Sequence, residues 1–205
     1  MNMTTVVLST LAVALAAGGS AAAAGGGPKR DFKRAGQALA NSIVLTRSDR
    51  PRHLKAWPTG GGFNTPRCSG KPDESDLTLN GRAVSPEFTT SNGVPSINAT
   101  VLVFQSAAQA QAAFQREMRP TLTRCLTKPL AGLGVQAAAV RLVFDAGPCG
   151  NACGTAKRIL AAFDLIVLRK GRVEAWLSGV FDANHLRRRL NLEKPLLTKL
   201  AARMS

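Results

Sequence analysis

Two apolar segments late in the chain follow the two-residue period of β-strands. The segment Ala156–Phe181 reads AKRILAAFDLIVLRKGRVEAWLSGVF, and Lys170-Gly171 supplies a short turn between its two halves. The first half is apolar on both sides, which is typical of a central strand. The second half alternates, with Val173 on one side and Glu174 on the other. The pattern predicts an antiparallel hairpin at the centre of a sheet, with a helix on one face.

Three more strands are predicted upstream, at Leu77–Val84, Ile97–Phe104 and about Ala138–Asp145. The tripeptide Asn98-Ala-Thr100 lies in the second of them and matches a glycosylation acceptor by letter. A position inside a strand argues against that use, so we assign it no modification.

Apolar residues at helical spacing predict three helices. The first runs from Asp31 to about Leu45, and a capping box of Ser106 and Gln109 opens the second, over residues 106–128. The last covers Asp182–Met204, where Pro195 allows either one helix or two short ones. The fold class is therefore α+β, an antiparallel five-stranded sheet packed by helices in the order α-β-β-α-β-β-β-α.

The segment Thr46–Pro72 is rich in Pro and Gly and is predicted to be a loop. Large aromatic side chains in a loop usually pin it to the protein. We therefore expect Trp57 and Phe63 to pack onto the sheet, and Cys68 to tether the loop covalently.

The first 24 residues contain no charged side chain and end in a run of small residues. Their strongly apolar part spans about 12 residues, short of the ~20 that cross a bilayer, so a signal peptide is favoured over a membrane anchor. We expect a signal peptide at 1–24, a flexible lead at 25–30 and a single domain at 31–205. The expected location is secreted or extracytoplasmic, associated with the cell envelope.

The chain carries 27 basic and 12 acidic residues, a net charge of +15. Residues 28–55 hold eight basic and two acidic groups, and residues 182–205 hold six and two. This distribution has two interpretations, attraction to an anionic surface (a wall polymer or lipid headgroups) and a solvated basic surface with no partner. Nucleic acid is not expected, because export removes the usual partner and the chain has no tyrosine for base stacking. The predicted anion-binding residues are Arg116, Arg124, Lys128, Arg187, Arg188 and Arg189.

Four cysteines in an exported chain predict disulfides, and three pairings are possible. Cys149 and Cys153 lie in the Gly-rich segment GPCGNACG, which favours a local bridge and leaves Cys68 to pair with Cys125. A zinc site is disfavoured by the spacing of the local pair and by the absence of a nearby histidine. A thioredoxin-type redox pair would need two intervening residues.

No catalytic motif is present in the sequence. His53 and His185 are the two histidines, and neither lies in a segment with an obvious partner for general-base chemistry. Asp164 is the acid within the most apolar strand, and an outward position or pairing with Arg158 or Arg172 would explain it. The acidic cluster at 73–76 lacks the spacing of a calcium loop. We expect no enzymatic activity, no cofactor and no metal.

Several of these segments resemble a known group of proteins. Four cysteines, the order of elements and the strand that runs into an Ala-rich helix, VLVFQSAAQAQAAFQREMRPTLTRCL, resemble the extracellular sensor-like domains of actinobacterial receptor serine/threonine kinases. The opening Ser42–Asp49 (SIVLTRSD) with Pro51 and Trp57, and the SPEF segment Ser85–Phe88, are similar to related uncharacterised exported actinobacterial proteins. The likeness covers about residues 31–204.

The resemblance implies a ligand-sensing or wall-associated binding domain with two disulfides and a cleft, and it carries no catalytic residues. Because this sequence has no kinase segment, the domain would act as a free binder or through a partner. The sequence thus predicts a non-enzymatic exported binding domain that engages an anionic envelope component through basic helical faces. The alternative is a small-molecule or lipid-binding protein with an apolar cleft between sheet and helices.

Overall fold

A computed structural model describes residues 26–58, 73–91, 93–117, 136–148, 158–183 and 186–204. The expected signal peptide and all four cysteines lie outside these residues, as do Phe63, Arg124, Lys128 and His185. The strands are β1 (Lys29–Arg30), β2 (Lys55–Trp57), β3 (Thr78–Val84), β4 (Glu87–Thr89), β5 (Ser96–Phe104), β6 (Gln136–Pro148), β7 (Arg158–Lys170) and β8 (Val173–Asp182). The helices are α1 (Arg34–Ile43), α2 (Ala107–Glu117) and α3 (Leu186–Arg203).

The strands form one mixed sheet in the order β1-β3-β5-β8-β7-β6, and β2 joins it through β4, which pairs with β5. The α+β class is confirmed, and the five predicted strands correspond to β3, β5, β6, β7 and β8. The prediction of a five-stranded, wholly antiparallel sheet is wrong. The described sheet has eight strands, and β1 pairs with β3 in parallel. The three additional strands, β1, β2 and β4, are two or three residues long. They are defined by their pairing with neighbouring strands and not by a sequence pattern of their own.

The predicted hairpin is the pair β7–β8. Lys170 pairs with Val173, and Gly171 in the turn has a φ of 56°, a left-handed conformation that glycine adopts without strain. From Ala161 to Leu168 every residue of β7 except Leu165 is buried, as its apolar sequence predicts. On β8 the side chains alternate between the two sheet faces, although Glu174 is buried along with its apolar neighbours.

Each helix is anchored by a local feature of its sequence. In α2 the hydroxyl of Ser106 accepts the backbone N–H of Gln109, while the Gln109 carbonyl oxygen accepts the N–H of Thr78 at 2.9 Å and so fixes the helix to β3. The last helix is one continuous α3 with Pro195 inside it, at an exposed position. Leu196, Leu197 and Leu200, which follow Pro195, are all buried against the sheet.

Helices cover both faces of the sheet. On one face, called here the α1/α3 face, Ile43 of α1 and Leu200 of α3 pack with Val101 and Leu177 of the central strands. On the opposite α2 face, Leu102 and Phe104 of β5 pack under α2. Alternation along β5 and β8 sends neighbouring side chains to the two cores.

The backbone of α1 lies directly on β3. A Cβ atom at Gly36 would overlap the carbonyl of Asn80, and one at Gly81 would overlap the carbonyl of Gly36. The side-chain amide of Gln37 bridges the same contact, donating to the Arg82 carbonyl at 2.7 Å and accepting the Arg82 N–H at 3.2 Å. Two glycines therefore set how closely this helix approaches the sheet.

The segment expected to be an irregular loop contains a 3-10 turn at Arg47–Asp49 and the strand β2. Trp57, at the end of β2, was expected to pack onto the sheet, and this prediction is wrong because 51% of its surface is exposed. Burial pattern and register explain this: Ala56 contributes to the core of the α1/α3 face, so Lys55 and Trp57 project from the other side.

Candidate functional site

One edge of the sheet carries a dense group of exposed cations. β1 pairs with the outer side of β3, and β2 pairs with β4, which follows β3 along the same side of β5. The short strands β1 and β2 therefore lie on this edge, and α1, between them in the chain, packs over β3. We call its exposed basic residues the basic edge: Lys29, Arg30, Lys33, Arg34, Arg47, Arg50, Arg52 and Lys55.

The two acids of the same segment neutralise only one cation of this edge, Lys33. Asp31 pairs with Lys33 at 2.9 Å, and Asp49 is turned inward, with only 6% of its surface exposed. Asp49 accepts hydrogen bonds from Arg203 at 2.8 Å and from the N–H of Thr46 at 2.8 Å, and it pairs with Lys199 at 3.2 Å. Its charge is thus matched by α3, and the neighbouring arginines keep their full positive charge toward solvent.

The electrostatics of Asp49 follow from these contacts. Burial acts to raise the pKa of Asp49, but the hydrogen bonds from Arg203, Thr46 and Lys199 outweigh it and hold the pKa far below its usual range. Asp49 is therefore ionised at any physiological pH. Asp49 is the last residue of Ser42–Asp49, the segment that is similar to exported actinobacterial proteins. Its contacts indicate a structural role.

Two aromatic side chains stand among the cations. Phe32, between β1 and α1, is 48% exposed, and Trp57 of β2 is 51% exposed. Large apolar side chains that stay half in water beside basic groups are typical of surfaces that contact another phase or a large partner. The sequence contained a signal for this, because residues 28–55 hold eight of the basic groups, but the anion-binding residues were predicted on the later helices.

Arg116, the first of those predicted residues, lies at the end of α2. Its guanidinium forms two bonds with the carboxylate of Asp76 and donates to the Asp73 carbonyl at 2.9 Å. The hydrogen bond from Arg116 lowers the pKa of Asp76, and the same bond raises the pKa of Arg116. The contact fastens the end of α2 to the segment that leads into β3.

The other predicted anion-binding residues are partly described. Arg187, Arg188 and Arg189 fall in the first turns of α3. Arg124 and Lys128 lie outside the described residues, and so do the cysteines whose pairing was predicted. Of the six predicted residues, Arg116 is the one whose side chain the structure describes, and it pairs with Asp76.

The structure describes both acidic candidates from the sequence, Asp164 and the cluster at 73–76. Asp164 is 2% exposed, on the α1/α3 face of β7, and its register partners are Arg141 on β6 and Gly179 on β8. Asp73 accepts the N–H of Ser75 at 3.0 Å, and this bond, first among several causes, lowers the pKa of Asp73. Within the described ranges no group of three or more His, Cys, Asp or Glu residues could hold a metal ion.

His53 is exposed in the turn before β2. No helix within the described part of the chain is long and apolar enough to cross a membrane.

No family model matches the chain, and no curated protein matches it significantly. Among solved structures, the extracellular domain of PknH from Mycobacterium tuberculosis is similar to it, with 12% sequence identity and a TM-score of 0.43. The alignment covers 82% of this chain and 95% of that domain. Similarity at this level establishes neither a shared fold nor a shared function.

Proposed function

We propose that this chain is a non-enzymatic, extracytoplasmic, sensor-like binding domain that engages an anionic component of the cell envelope. The basic edge, together with Arg187–Arg189 at the start of α3, would receive phosphate or carboxylate groups. The observation that carries the proposal is the separation of charges on residues 28–55. The basic side chains are exposed, while Asp49 is buried against Arg203 and Lys199.

The spread of the basic side chains favours a repetitive anion over a single small one. The exposed cations extend from β1 to β2. Dispersed surface charges raise the local concentration and the association rate of a polyanion or of a charged membrane. Phe32 and Trp57 add apolar contacts that salt would not screen.

The alternative, an apolar cleft between sheet and helices, has no specific observation in its favour. In the described part of the chain, the apolar residues that face the helices are packed into the cores of the α1/α3 face and the α2 face. We therefore place the ligand-binding surface outside these cores.

A binding assay with two sources of anions tests the proposal. The purified protein is mixed with phosphatidylglycerol vesicles, with phosphatidylcholine vesicles and with soluble polyphosphate, at about 20 mM and about 300 mM NaCl. We expect binding to the anionic vesicles, the polyphosphate or both, weakening at least tenfold at the higher salt. Preference for vesicles over polyphosphate would identify lipid headgroups as the source, and the reverse would identify a polymer. Equal binding to neutral vesicles, salt-independent binding, or no binding would contradict the proposal.

A further inference from the structure

The described part of the chain exposes three large apolar side chains, and all three lie on the side of the sheet that carries the basic edge. Phe32 follows β1, Trp57 ends β2, and Val94 lies in the turn that joins β4 to β5. Among the described side chains of β7 and β8, on the other side of β5, none of this kind is exposed. Apolar side chains grouped beside concentrated charge are typical of an interaction surface.

Trp57 stands next to a cation on the same side of β2. Lys55 and Trp57 are both exposed, whereas Ala56 between them packs against the core of the α1/α3 face. Side chains two residues apart on a strand project to the same side. The acid opposite Trp57 in the register, Glu87, accepts the hydroxyl of Ser96 on β5. The indole is therefore held in water beside an ammonium group.

Phe32 repeats this combination at the other end of the basic edge. It lies in the chain between two exposed arginines, Arg30 of β1 and Arg34 of α1. The preceding residue, Asp31, donates its backbone N–H to the Leu79 carbonyl at 2.9 Å and so fixes this part of the chain to β3. Both ends of the basic edge thus combine an aromatic ring with positive charge.

The register of the sheet sets the distance between the two aromatic positions. The chain next to Phe32 pairs through β3 with the level of Phe104 on β5. The chain next to Trp57 pairs through β4 with the level of Ile97. These levels are seven residues apart on β5, or roughly 23 Å at ~3.3 Å per residue. The two rings therefore mark the ends of a wide surface and cannot enclose one small ligand between them.

The surface of a bilayer with anionic lipids offers both kinds of contact over such a width. Its phosphates attract Lys and Arg side chains. Aromatic side chains favour the boundary between headgroups and acyl chains, where an apolar ring and a nearby cation are both accommodated. A phosphate polymer in solution matches the cations but offers no apolar layer to the rings. The pairing of rings with cations therefore favours the bilayer.

We propose that the ligand of the basic edge is the surface of an anionic bilayer, and that Trp57 and Phe32 enter the boundary between its headgroups and acyl chains. This rests on the proposed function and names its ligand. The protein docks by one edge of its sheet, with the cations against lipid phosphates and without crossing the bilayer.

Tryptophan fluorescence tests the insertion of Trp57, because the chain has two tryptophans. Wild type and Trp57→Phe are each mixed with phosphatidylglycerol vesicles, with and without a lipid brominated on its acyl chains, at about 20 mM NaCl. In the wild type we expect the emission to shift to shorter wavelength and to be quenched by the brominated lipid. In Trp57→Phe the emission comes from Trp176, which packs against the cluster under α2, and we expect neither change.

A second set of variants separates the aromatic contacts from the charge. Trp57→Ser and Phe32→Ser should each reduce the affinity for the vesicles by about tenfold, because the substituted side chain no longer carries apolar surface out of water. The affinity of both variants for soluble polyphosphate should change less than twofold. Trp57→Phe is the matched control, because it keeps an apolar ring, and its affinity for the vesicles should stay within about threefold of the wild type.

Each contrary outcome has a distinct meaning. Vesicle binding without the emission shift and quenching would overturn the insertion and leave a purely electrostatic edge, so the proposed function would stand. Binding to polyphosphate with none to the vesicles would also overturn it, and would assign the edge to a polymer. Equal losses of vesicle and polyphosphate binding in Trp57→Ser would give Trp57 a structural role and overturn it too. Absence of binding to both would overturn the proposed function as well.

Discussion

Asp49 and Arg203 form a two-bond ion pair between segments that are 154 residues apart, with both Nη-to-Oδ distances at 2.8 Å. The same guanidinium donates to the carbonyl of Val44, the C-cap residue of α1, at 3.1 Å. Arg203 is the last residue of α3. One contact therefore joins the end of the first helix to the end of the last, across the core of the α1/α3 face.

Replacing Asp49 should measurably weaken the fold. Asp49→Asn keeps the shape of the side chain but removes its charge, and we expect the free energy of unfolding to fall by about 2 kcal/mol, as for hydrogen bonds between charged groups. Denaturant titration at pH 7 measures the change. Asp31→Asn is the matched control, because the Asp31–Lys33 pair is largely exposed and such pairs contribute little. An equal effect of the two substitutions would contradict this role for Asp49.

The Asp49 carboxyl should make the protein less stable as the pH falls. The folded-state pKa of Asp49 is lowered, so the folded protein binds this proton less readily than the unfolded chain does. Its contribution is fully present above the unfolded pKa of about 4 and is lost as the pH falls toward the folded value. The wild type should lose more stability than Asp49→Asn between about pH 5 and pH 2. Parallel stability curves for the two proteins would show that Asp49 does not carry this dependence.

Gly36→Ala tests the close approach of α1 to β3. On helix propensity alone this substitution would stabilise the protein by about 1 kcal/mol. Because a Cβ at Gly36 overlaps the Asn80 carbonyl, we expect the opposite sign, a loss of about 1–3 kcal/mol. Thermal or denaturant unfolding of the variant decides the sign. A gain in stability would mean that the helix can move away from the strand without cost.

Arg116 should contribute least to anion binding among the six residues predicted from the sequence. Its charge is already matched by Asp76 through two bonds, so Arg116→Ser should change the affinity for anionic vesicles or polyphosphate less than twofold. Arg187→Ser with Arg188→Ser and Arg189→Ser should reduce it more. A larger effect of Arg116→Ser than of the triple substitution would reverse this ranking.

The long strands and the helices could be predicted because their periodicity extends over many residues. β7 and β8 follow from apolar alternation and a Gly-containing turn, and α2 from Ser106 and its neighbours. The short strands could not be predicted, because two or three residues such as Lys29–Arg30 have no period of their own and are defined by β3 beside them. The exposure of Trp57 has the same origin, since register on β4 determines which side of β2 faces the core.

The candidate surfaces were harder to predict than the fold. The number of basic residues in 28–55 is evident from the sequence, but the inward turn of Asp49 depends on Arg203, at the other end of the chain.

Removal of charge from the basic edge tests the central claim most directly. The edge variant carries Arg50→Ser, Arg52→Ser and Lys55→Ser. The control carries Arg169→Ser, Lys170→Ser and Arg172→Ser, which remove the same charge at the β7–β8 turn. The affinities of both variants and the wild type for phosphatidylglycerol vesicles and polyphosphate are measured at about 20 mM NaCl. We predict at least a tenfold loss for the edge variant and less than a threefold loss for the control. Equal losses would show that net charge alone governs binding and would contradict a dedicated basic edge.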